Sequence, residues 1–158
     1  MKELALQLIE ENKKTRAPFL DLGNCGLTKV PEEIGELVWL EELSFSNLLF
    51  VKGLNKDTKN NGPDNKILAL KGRSYIDNPF RKLHNLKRIW FNCSRGRTSY
   101  SPYNLSAFRD LTKLEWLDLS NSRIRDISAL SRLQNLKYLD LSNTQSLNIS
   151  NIRSIEYY

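Results

Sequence analysis

The sequence predicts an α/β fold: a right-handed repeat solenoid with a short parallel sheet on its concave face, 3₁₀-like or extended returns opposite, and an N-terminal helical cap. Three observations lead to it. A motif reading L-x-x-L-x-L-x-x-(polar) recurs along the chain. Its copies begin at Ala17, Leu40, Leu86, Leu114 and Leu136, in steps of 23, 46, 28 and 22 residues, so one unit of 22 or 23 residues with local insertions accounts for all of them. Leucine occurs 27 times against 6 phenylalanines, as a repeated packing slot requires. A unit this short cannot bury its own apolar face, so neighbouring units must stack into one core. The 158 residues are read as a single domain, 1–158.

The elements follow in chain order. Over 2–14, Leu4, Ala5, Leu8 and Ile9 share one helical face, with Glu3, Glu10, Glu11, Lys13 and Lys14 mostly around it. A solenoid end exposes its core, and this helix is expected to cover it. The first two motif copies follow, at Leu20, Leu22 and Cys25 and at Leu43, Phe45 and Leu48. Residues 51–66 are rich in Gly, Pro, Asn and Lys and form an insertion loop, with re-entry to the repeat near Asn65–Leu70. The third copy holds Ile89, Phe91 and Ser94, and a second insertion loop spans 94–104. The last two copies are nearly superimposable: Leu114, Leu117, Leu119, Ser122, and then Leu136, Leu139, Leu141, Thr144.

Within each copy the L-x-L part has period two, so it is a short strand with both leucines facing inward. After Leu119 the apolar residues are Ile124, Ile127, Leu130, Leu133 and Leu136, a spacing of three that suits a 3₁₀-like return. The polar residue that ends each copy is expected to satisfy buried backbone groups in the turn; Cys25, Ser94, Ser122 and Thr144 stand there, with Leu48 a poor fit. That makes Cys25 structural rather than a nucleophile. At the C-terminus Ile149, Ile152, Ile155 and Tyr158 continue the spacing of three. The next strand is read as missing, so at that open edge a continuation of the same chain is expected, or Tyr157 and Tyr158 folding back as a cap, or a second copy of the chain.

Leu111–Leu130 is especially similar to the 22-residue leucine-rich repeats of bacterial internalin-like proteins. Leu27–Leu37, with Val30 and Pro31 where Leu-Pro is common, resembles the 23-residue bacterial class. The resemblance covers roughly 17–50 and 83–158. It implies the solenoid above and is silent on the partner, because this fold serves many. The family usually places asparagine in the closing slot, where this chain has Cys, Ser and Thr.

Charge is uneven. Residues 1–42 carry 9 acidic and 5 basic side chains, residues 43–113 carry 4 and 14, and residues 114–158 carry 5 of each. The basic middle segment makes nucleic-acid binding through 43–113 an alternative, with Arg95 and Arg97 as possible anion contacts. Two cysteines and one histidine, without metal-ligand spacing, exclude a Cys/His zinc site. No stretch has signal-peptide or membrane-spanning character, and a cytoplasmic location is expected.

In each strand the residues flanking the inward leucines point to the concave side. Stacking makes columns: Phe19, Glu42, Arg88, Trp116, Tyr138; then Asp21, Ser44, Trp90, Asp118, Asp140; then Gly23, Ser46, Asn92, Ser120, Ser142. Arg88, Trp90, Trp116, Asp118, Tyr138 and Asp140 are the expected contacts for another protein, since Trp, Tyr and Arg carry most interface energy. Two other readings compete. Trp116 and Tyr138 could stack only to stabilise the sheet. Asp118 and Asp140, about 5 Å apart on adjacent strands, have the spacing of a glycosidase pair, yet a repeat places identical residues there automatically. The expected function is non-enzymatic protein recognition, with no cofactor and no membrane partner, and with nucleic acid ranked below protein. The alternative is an N-terminal sensor or scaffold segment of a larger bacterial signalling or defence protein.

Overall fold

The computed structural model describes residues 2–55, 59–67, 78–92, 105–122, 124, 126–144 and 156–157. Helix α1, Lys2–Thr15, opens the chain, with Glu3 in its first turn and Lys13 and Lys14 in its last, each sign complementing the helix dipole. It buries Ala5, Ile9 and Asn12. Asn12 ties the cap to the first repeat. Its Nδ2 donates to the carbonyls of Ala17 (3.1 Å) and Phe19 (3.2 Å), and its Oδ1 accepts from the Trp39 indole (3.0 Å).

The strands are β1 (Phe19–Asp21), β2 (Glu42–Ser44), β3 (Phe50–Val51), β4 (Leu54–Asn55), β5 (Arg88–Trp90), β6 (Trp116–Asp118), β7 (Tyr138–Asp140) and β8 (Glu156–Tyr157). Six of them form one parallel sheet in the order β1-β2-β5-β6-β7-β8, while β3 and β4 pair separately as an antiparallel hairpin. The register is the one the motif implies: Leu20, Leu43, Ile89, Leu117 and Leu139 lie side by side. All five are buried. The expected columns are therefore real, with Phe19, Glu42, Arg88, Trp116 and Tyr138 adjacent in one and Asp21, Ser44, Trp90, Asp118 and Asp140 in the next. Right-handed returns form the opposite wall as 3₁₀ turns at Glu32–Glu36, Pro79–Lys82, Leu105–Phe108 and Ser128–Arg132. Ile124, Ile127, Leu130, Leu133 and Leu136 are all buried there, which is what a spacing of three accomplishes. Successive returns approach closely: a Cβ on Gly35 would lie 3.1 Å from the Pro79 carbonyl oxygen.

The core changes character where the repeat is interrupted. Phe45 and Phe91 stand in leucine slots and stack at 4.5 Å between ring centres, and Phe80 meets Phe108 edge-on at 5.0 Å.

Two expectations are corrected. The strand read as missing after the last repeat is present: β8 pairs in parallel with β7, Tyr138 opposite Glu156 and Leu139 opposite Tyr157. The polar ladder also runs mainly one position before the closing slot. Asn24, Asn121 and Asn143 adopt left-handed backbone (φ 51, 57 and 55), which asparagine tolerates better than most residues. Asn143 donates to Asn121 Oδ1 (3.2 Å), Asn121 to Asn92 Oδ1 (3.4 Å), and Asn92 to Ser120 Oγ (2.7 Å). In the closing slot itself Thr144 donates to the Leu141 carbonyl (2.7 Å), as expected of that position, whereas Ser122 Oγ is buried without a partner among the described residues. Cys25 is buried, its thiol directed at the Gly23 carbonyl. Ser94, Cys93 and the 94–104 loop lie outside the described residues.

The later part of the 51–66 insertion is bound to the first repeat. Asn60 donates to the carbonyls of Asp21 (3.1 Å) and Gly23 (2.9 Å), and the Gly26 N–H reaches the Pro63 carbonyl (2.8 Å). Asn65 is buried and fully engaged. Its Oδ1 accepts from Cys25 N (3.2 Å) and Leu27 N (2.9 Å), and its Nδ2 donates to the Leu22 (2.7 Å) and Phe45 (3.1 Å) carbonyls.

Replacing Leu119 by Ala is expected to lower unfolding free energy by about 2–5 kcal/mol through a core cavity, measured by urea titration. In the same assay Asn65→Ala is expected to cost at least as much as a buried leucine truncation, because each backbone group left unpaired costs about 1–3 kcal/mol. A near-neutral Asn65→Ala would show that water replaces the side chain.

Candidate functional site

The concave face is built from the outward residues of three-residue strands, so its side chains are fixed by the register rather than by loops. Arg88 is exposed, Trp116 and Asp140 are half-buried, and Tyr138 is buried although it still borders a cleft. Trp116 stacks on Tyr138 with ring centres 3.6 Å apart and planes 13° from parallel. Across the strands Arg88 faces Glu42 at 3.7 Å, Lys87 faces Glu41 at 2.8 Å and Lys137 faces Glu115 at 2.9 Å. These exposed pairs contribute little stability individually.

The face is not bare. The β3–β4 hairpin reaches over it and places its tip, Lys52 and Gly53, on the aromatic column. Gly53 has φ +75, and a Cβ there would sit 2.7 Å from the Trp116 ring, so no larger residue fits. The Lys52 carbonyl accepts the Trp90 indole N–H (3.1 Å), and the Lys52 ammonium lies 4.6 Å from the centre of the Tyr138 ring. Within the hairpin Leu54 is buried, whereas Phe50 projects from it at 81% exposure. The Trp116 indole N–H is buried and has no acceptor among the described residues. The tip divides the face into two clefts. One, of about 530 Å³, is lined by Lys52, Arg88, Glu115, Trp116, Leu136, Lys137 and Tyr138. The other, of about 310 Å³, is lined by Phe19, Glu42, Gly53, Leu54 and Arg88.

This changes the expected contact set. Trp90 is fully buried by the hairpin and the core, so it braces the face instead of presenting a surface. Asp118 is buried as well, and its Oδ1 accepts the Ser120 N–H (2.9 Å). Asp140 makes the same turn bond to Ser142 (2.8 Å) and also accepts from the Tyr138 hydroxyl (3.4 Å), while Asp21 accepts from Gly23 (2.9 Å). The aspartates of this column thus close the turns after β1, β6 and β7, which accounts for their repetition without catalysis. Among the described residues no group of three or more His, Cys, Asp and Glu could hold a metal ion. Arg95 and Arg97 lie outside the described residues. Lys52 and Gly53 were not among the expected site residues. Their signal in the sequence is local: a Lys-Gly tip between Phe50-Val51 and Leu54-Asn55 is a hairpin pattern.

A leucine rich repeat family profile matches residues 104–145. Among solved structures the chain is similar to a leucine-rich-repeat protein of Leptospira interrogans, with 23% identity, a TM-score of 0.54, and coverage of 94% of this chain and 38% of that one. It is also similar to internalin C2 of Listeria monocytogenes, with 26% identity, a TM-score of 0.49 and coverage of 85% and 55%. Internalin F of the same organism has 20% identity, a TM-score of 0.44 and coverage of 78% and 34%. No match is found among curated protein sequences. The chain therefore has a leucine-rich-repeat fold. It spans between a third and about half of the length of these solved structures. The cytoplasmic expectation is withdrawn, because the internalins among these structures are secreted or cell-wall-associated proteins. Among the described residues no helix is long and apolar enough to cross a membrane.

Burial holds the Asp118 carboxyl above the ordinary carboxylate range, with the Asp140 charge adding to the rise and hydrogen bonds from Ser120 and Asn92 opposing it. The fold thus favours the protonated form. Below the ordinary aspartate pKa both folded and unfolded chains are protonated, and the stabilisation this group gives is fully present. As pH rises the unfolded chain ionises first, and that contribution is lost through the raised folded value. Asp118→Asn keeps the acceptor for Ser120 and removes the titration. Its stability relative to the parent chain is expected to rise with pH across the carboxylate range, read from urea midpoints; a constant difference would contradict the assignment.

Proposed function

We propose that this chain is a non-enzymatic recognition module that binds another protein on the concave face of its repeat stack. The observation that carries the reading is the Trp116–Tyr138 stack, held in register on a rigid sheet beside the exposed Arg88 and opening onto a cleft of about 530 Å³. Aromatic rings and arginine on a preordered scaffold lose little entropy on binding and supply most interface energy. Arg88, Trp116, Tyr138 and Asp140 are the proposed contacts, with Lys52 from the hairpin. Trp90 and Asp118 act behind them by fixing the hairpin tip and the strand turn.

A second reading, a sensor or scaffold segment of a larger bacterial signalling or defence protein, is supported by the fraction of each similar structure that the chain spans. Nucleic-acid binding through 43–113 draws less support. Lys87 and Arg88 in that segment are matched by Glu41 and Glu42.

Affinity capture from the source bacterium tests the first reading. Trp116→Ala is expected to weaken capture of the partner by about tenfold or more while the chain stays folded, and Arg132→Ala on the opposite wall is expected to leave capture unchanged. A large melting loss at unchanged capture would make the Trp116–Tyr138 stack a purely structural contact.

A further inference from the structure

We propose that the larger concave cleft, walled on one side by the hairpin tip, receives an acidic segment of the partner protein. This rests on the concave-face reading above and narrows it. Three cations and one carboxylate line the cleft. The cations come from three separate places: Lys52 from the hairpin, Arg88 from β5 and Lys137 from the residue before β7. A chain lying in the cleft would meet positive charge from more than one side. The Trp116–Tyr138 stack and Leu136 supply an apolar wall, which limits water and strengthens the attraction of opposite charges.

The one carboxylate in the lining shows how such a group fares there. Glu115 is held below the ordinary carboxylate range, first by its hydrogen bond from Lys137 and the charge of that lysine, and further by Lys87 and Arg88. An ionised carboxylate is therefore favoured at this edge. Asp140, in the neighbouring column, is outside the lining, and its oxygens are engaged by the Ser142 N–H and the Tyr138 hydroxyl. Glu42, opposite Arg88, lines the smaller cleft.

The hairpin is a wall of this site, not a plug in it. Its tip reaches only as far as Gly53 on Trp116 and Lys52 on Tyr138, and the cleft remains open beyond it. Lys52 contributes its ammonium to the lining while its carbonyl is fixed by Trp90, so the charge is positioned by the backbone.

The test uses the 158-residue chain and fluorescein-labelled hexaglutamate and hexalysine peptides, read by anisotropy. Saturable hexaglutamate binding that weakens with salt is expected, with no hexalysine binding. Lys52→Glu and Arg88→Glu are each expected to weaken it about tenfold or more. Arg132→Glu, the same charge change on the far wall, is expected to leave it within about twofold. Absence of binding, or an equal loss with Arg132→Glu, would overturn the proposal, since a chain of net charge +6 attracts acidic peptides without any site. Tighter binding after excision of Lys52 and Gly53 would also overturn it, by making the hairpin a plug. If hexaglutamate binding fails while capture of the partner still depends on Trp116, the acidic-segment inference falls and the concave-face reading stands. Loss of both takes both down.

Discussion

One constraint governs this molecule: the inward residue of each strand must lie beside its counterpart in the next. Leu20, Leu43, Ile89, Leu117 and Leu139 meet that condition, and everything on the concave side inherits it. Side chains in a strand alternate faces, so a slip of one residue would send these leucines to solvent and the columns into the core. The returns enforce the same register from behind, because their apolar residues recur every third position and fill the space between the layers.

Much of this was legible because it is periodic. The L-x-L pair fixed the strand positions, the spacing of three fixed the returns, and the apolar face of 2–14 marked a helix that runs Lys2–Thr15. What was not legible lacks a period. Asn24, Asn121 and Asn143 do recur, but their task depends on left-handed backbone, which no side-chain pattern announces. Glu156 and Tyr157 pair as a strand without the leucine pair that marks the others. The candidate site was only partly legible for a related reason. Column membership follows from register, so Arg88, Trp116 and Tyr138 could be placed; exposure depends on what else reaches the column. The hairpin is a local pairing of Phe50-Val51 with Leu54-Asn55, and nothing local says that its tip crosses onto Trp116 and buries Trp90.

The hairpin and the repeat are coupled through small, specific contacts. Gly53 is held against a ring with no room for a Cβ, and the Trp90 indole is satisfied by a carbonyl from another segment. The Trp116 N–H is buried without an acceptor among the described residues, and leaving such a group unpaired costs about 1–3 kcal/mol.

The β2–β5 junction carries a wider lesson. These strands pair in the same register as β6 and β7, although their motif copies start 46 residues apart in sequence and the others 22. The sheet does not sense how much chain lies between two neighbours. Loop-closure entropy grows only logarithmically, by about 0.6 kcal/mol for each doubling of length. A scaffold of this kind can therefore acquire or exchange a segment at one junction and keep its interior intact. New binding character becomes an editable feature, separable by mutation and selection from the inheritance of the fold.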